Sequence, residues 1–78
     1  MASEIKILRE ILVATFSNST IPDDISEMGI GDLVEWDSLG NFNFLLAVEE
    51  KYDLRFDIEQ MAEIKSVQDV LSYLAERC

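Results

Sequence analysis

Apolar residues recur at helical spacing through most of this chain, and only one short segment alternates as a strand would. Ile5, Leu8, Leu12 and Phe16 share one stripe of a first helix, expected to run from Ser3 as N-cap to about Phe16. Val67, Val70, Leu71 and Leu74 repeat that spacing behind Ser66, a good N-cap for a last helix. Leu54-Arg55-Phe56-Asp57-Ile58 alternates, but no second segment is there to pair with it. A second helix should start near Asp37-Ser38 and reach about Tyr52, and a short third one fits about Ile58 to Ile64. Residues 17–37 hold Pro22, Gly29 and Gly31 with no sustained period, so they read as a long loop punctuated by Ile25, Met28, Ile30, Leu33 and Trp36. The pattern predicts an all-α fold. It is a four-helix bundle with a long loop between helices one and two and a short third helix, in which residues 1–78 form one domain.

A hydrophobic fraction of 49% gives even a chain of 78 residues enough apolar surface to fold, which excludes a disordered polyanion. The longest apolar runs, such as Phe44-Leu45-Leu46-Ala47-Val48, are too short to span a bilayer. No secretory pattern marks the first fifteen residues, and Cys78 has no second cysteine to pair with, so a cytoplasmic location is expected. The formal charge of −10 is regional. From Glu10 to Glu50 there are nine acidic residues and no lysine or arginine. Such a stretch repels nucleic acid and anionic membrane and would steer basic protein partners toward it; a solvated face that merely confers solubility is an equal reading of the charge alone.

The chain offers few parts for catalysis. It has no histidine, so serine–histidine and cysteine–histidine nucleophiles are absent. Neither a glycine-rich phosphate loop nor a metal-spaced cluster occurs, and Asp23-Asp24 reads as a solvated loop pair. The expectation is a protein that is not an enzyme and holds no metal.

One segment stands apart: Trp36-Asp37-Ser38-Leu39-Gly40, at the junction of loop and second helix. A serine there sits at a helix N-terminus, where free backbone N–H groups and the helix dipole favour an attached phosphate. Taken alone, Asp-Ser at a helix start is better explained by ordinary capping.

The surrounding spacing adds to this. Asp37-Ser38-Leu39, then Leu45 to Tyr52, Leu54-Arg55-Phe56 and Ile64-Lys65-Ser66-Val67 together resemble the acyl carrier proteins, ungapped from Asp37 to about Leu74. The resemblance implies that a phosphopantetheinyl transferase uses coenzyme A and magnesium to attach 4′-phosphopantetheine to Ser38, with Asp37 at the transferase contact. The arm's thiol would hold an acyl or aminoacyl group as a thioester, loaded by an acyl- or aminoacyl ligase. Leu39, Phe42, Leu46, Glu49 and Glu50 would form the face toward basic partner enzymes. Phe44, Leu45, Val48 and Tyr52 would pack inward with Phe56, Ile64, Val67 and Leu71, and the carrier would be monomeric. Core packing is an equal reading of Phe42 and Leu46, because the second helix is apolar almost all round.

Departures from the family pattern matter as well. Carriers of primary fatty-acid synthesis usually have acidic residues where this chain has Gly40 and Asn43, and a small residue in place of Trp36. The resemblance therefore points to a specialised stand-alone carrier, of a secondary-metabolite or surface-polysaccharide pathway. A D-alanyl or other aminoacyl carrier, or a non-covalent acidic interaction module that has kept the fold, stays open.

Overall fold

The computed structural model describes residues 2–77, with side chains from residue 4 to residue 76. The elements are α1 (Ala2–Thr15), α2 (Ser38–Tyr52), α3 (Ile58–Glu63) and α4 (Val67–Arg77). The all-α expectation therefore holds. The first boundary differs from the expected one: Ser3 lies inside α1 rather than before it, and its side chain, like Cys78, lies outside the described residues. No described helix is long and apolar enough to cross a membrane.

Each long helix contributes its expected stripe. Leu8, Leu12 and Phe16 meet Phe44, Leu45 and Val48 of α2 and Val67, Val70 and Leu74 of α4 in one buried cluster. Tyr52 and Leu71 pack against its edge, half-buried. The six-residue α3 contributes no fully buried side chain, though Met61 packs against the core. Its start is fixed locally by a capping box: Asp57 accepts from the Gln60 N–H at 2.8 Å while the Gln60 side chain accepts from the Asp57 N–H at 3.0 Å. The alternating segment before it forms no strand. Phe56 is buried, but Ile58, the next residue of that alternation, is 86% exposed at the first position of α3.

The long loop is fastened on both sides. Arg9, the last cation before the acidic stretch, donates from Nε to the Pro22 carbonyl and from Nη2 to the Ile21 carbonyl, both at 2.8 Å. At the other side, the Ile30 N–H reaches the Lys65 carbonyl at 2.8 Å and the Val67 N–H reaches the Met28 carbonyl at 2.9 Å. These bonds flank an isolated antiparallel bridge between Gly29 and Ser66. Ile21, Ile25 and Trp36 of the loop are buried in the core. Asp32 accepts from the Gly29 N–H at 2.7 Å and Asp24 from Ser26 within local turns, while Glu35 accepts from the Ser19 hydroxyl at 2.9 Å across the loop. The Ser26 backbone N–H, followed by its hydroxyl, holds the Asp24 carboxyl below its ordinary value.

Candidate functional site

The start of α2 is capped by Asp37, whose carboxylate accepts from the Gly40 N–H at 2.8 Å. Its carbonyl takes the first helical bond, from the Asn41 N–H, also at 2.8 Å. Ser38 is consequently the first residue of the helix and not its cap, and it is exposed. Capping and exposure are thus divided between neighbours. The carboxylate satisfies an orphan donor of the first turn, and the serine side chain stands at the positive end of the helix dipole without being needed to close it.

Beneath Ser38 the site is closely packed. The Trp36 side chain is fully buried, with ring centroids 5.6 Å from Phe16 and 5.3 Å from Phe44. Its indole N–H donates to Asn41 Oδ1 at 2.9 Å. The Asn41 amide then donates to the Ile64 carbonyl at 2.8 Å, linking α2 to the end of α3. Asn41 is the one buried polar side chain of the described core, and both ends of its amide are used. The sequence singles out Trp36 as an apolar loop residue and as the start of the Trp36-Asp37-Ser38 segment, but it shows no pattern that pairs Trp36 with Asn41. Trp36 and Asn41 stand five apart, across a helix cap; no periodicity links such a pair, and only the donor–acceptor match hints at it.

Gly40 corrects an expectation. An acidic residue at this position, as in primary carriers, implies a surface site, but Gly40 is buried. A Cβ there would overlap the Glu35 carbonyl oxygen and lie 3.1 Å from the Phe16 ring. Glycine is required because the backbone of the loop packs directly on the first turn of α2. Asn43, by contrast, is exposed.

Leu39, Phe42 and Leu46 follow one another along the outer side of α2, and Leu39 is 69% exposed. Glu50 is exposed too. Glu49 is half-buried, and its carboxylate accepts from the Phe56 N–H at 2.7 Å, so it also holds the segment leading into α3. Val13, Ile30, Val34 and Ile58 are exposed apolar residues outside that strip, Val34 and Ile58 the most so at 97% and 86%. Val34 stands apart from any periodic pattern in the loop, and Ile58 belongs only to the alternation that forms no strand and opens α3 instead.

No family model matches the chain, and no solved structure matches it. It is similar to a curated acyl carrier protein from Bdellovibrio bacteriovorus, 37% identical over 57 residues that cover 72% of this chain and 73% of that protein. At that identity and coverage, with the helix order that the apolar spacing predicted, the chain belongs to the acyl carrier protein family.

Proposed function

We propose that this protein holds an acyl or aminoacyl group as a thioester on 4′-phosphopantetheine attached to Ser38, in a specialised biosynthetic pathway. As a member of its family it is a carrier and not an enzyme. The observation that carries the reading is the division of labour at α2: Asp37 does the capping, and Ser38 is exposed beside it. A phosphodiester there would be an anion at a helix N-terminus, which the dipole favours. In the loading step the Ser38 oxygen bonds to the phosphorus of the pantetheine arm, its proton passes to the transferase, and coenzyme A loses adenosine 3′,5′-bisphosphate. The group would supply a thiol on a flexible arm; the residues of this chain fix where the arm starts and what approaches it.

Partners are then the phosphopantetheinyl transferase, a loading ligase and downstream enzymes with basic docking patches. Leu39, Phe42, Leu46 and Glu50 give such an enzyme an apolar strip beside negative charge, and Glu49 contributes what its bond to Phe56 leaves free. Asn43 and Phe42 distinguish this face from that expected of a housekeeping carrier. Phosphopantetheine mapped by fragmentation mass spectrometry to Ser38 tests the assignment; modification at Ser17, Ser26 or Ser66 would overturn it.

A further inference from the structure

An arm attached to Ser38 starts at the first residue of α2. Cargo on that arm could enter the bundle there only by parting the groups packed around the first turns of α2. Three elements meet at that point: the end of α1 at Phe16, α2 at Asn41 and Phe44, and the junction of α3 and α4 at Ile64. The Trp36 ring packs between Phe16 and Phe44 with no exposed surface, its N–H bonded to Asn41. Asn41 crosses the seam from α2 to Ile64 as a two-ended hydrogen bond. An alkyl chain entering here would displace the indole and leave a donor and an acceptor buried without partners. Gly40 adds to the closure, because its missing side chain lets the loop carrying Trp36 press against α2. A surface hollow of about 330 Å³ on the α3–α4 side is of mixed polarity, with Gln60, Glu63, Asp69 and Glu76 beside Ile64 and Tyr73, so it is no apolar channel for an alkyl chain.

We infer that Trp36 and Asn41 close the interior of this carrier to its own cargo, so that the thioester-bound group stays in water and is short or polar. The inference rests on the carrier reading of Ser38. It makes Trp36 a determinant of cargo class, since long alkyl groups left in solvent gain nothing from this protein.

The test loads acetyl-pantetheine and octanoyl-pantetheine onto the full chain from the corresponding acyl-coenzyme A, using a broad-specificity phosphopantetheinyl transferase. Melting temperature and the NMR resonance of the Trp36 indole N–H are then compared. In the wild type the two forms should melt together and the resonance should stay in place. In Trp36→Leu, which removes ring volume and the donor, the octanoyl form should melt above the acetyl form. A sheltered octanoyl chain would raise the wild-type melting temperature by roughly 4–8 °C or more. That rise, with a displaced indole resonance, would overturn the inference while leaving Ser38 as the attachment site. Failure to gain mass from either acyl-coenzyme A would instead overturn the carrier reading and the inference with it. Should Trp36→Leu fail to fold, the wild-type comparison alone decides.

Discussion

The indole nitrogen of Trp36 donates to the side-chain oxygen of Asn41 at 2.9 Å, and both residues are buried. That bond joins the last turn of the loop to the first turns of α2, and the Asn41 amide carries the connection on to Ile64. The exposed serine between these two residues is therefore held by a buried frame.

Asn41→Leu should be strongly destabilising although it adds apolar surface to a core. It strands the Trp36 N–H and the Ile64 carbonyl, at about 1–3 kcal/mol for each buried group left unpaired. A double-mutant cycle with Trp36→Phe, followed by urea unfolding, should show a coupling of about 0.5–3 kcal/mol. Additive effects would mean that the two side chains act independently.

Gly40→Ala should destabilise the protein by about 1–3 kcal/mol, because the new methyl overlaps the Glu35 carbonyl. Helix propensity alone predicts the opposite sign, a gain of about 1 kcal/mol for replacing a glycine within a helix. Thermal or urea unfolding distinguishes the two. Gly40→Asp fails for the same steric reason, so a docking charge can be restored only at Asn43.

Much of this fold was legible from spacing alone. The stripes of α1 and α4 and the Ser66 cap follow from local periodicity, and the structure bears them out: Ser66 Oγ accepts from the Asp69 N–H at 3.1 Å. Asp37-Ser38 marked the start of α2 correctly but left open which of the two did the capping. Only backbone geometry separates them. Gly40 was misread because its constraint comes from Glu35, five residues back across the cap, and a sequence does not show how closely two backbones approach. The network through Asn41 to Ile64 spans 23 residues, beyond the reach of any local pattern.

Asp37→Ala should cost about 0.5–2 kcal/mol by removing the cap. Ser38→Ala should change stability by no more than about 0.5 kcal/mol, as for an exposed residue with no structural role. Equal losses in the two variants would show that Ser38 shares the capping.

Association with a basic partner should slow as salt rises. Most of the acids between Glu10 and Glu50 are exposed, and their fields fade beyond about 8–10 Å at physiological ionic strength. Phe42→Ala should act differently, speeding dissociation while leaving the salt dependence intact. Stopped-flow measurements with the transferase, from low to high salt, separate the two effects. A flat association rate would contradict the role given to charge.

The attachment of the arm to Ser38 is the central claim, and intact mass tests it most directly. Wild type and Ser38→Ala are incubated with coenzyme A, magnesium and a broad-specificity phosphopantetheinyl transferase, after circular dichroism has shown the variant to be folded. The account predicts a mass gain of one phosphopantetheine in the wild type and none in the variant. A folded wild type that gains nothing, or a variant that is modified as well, would contradict it.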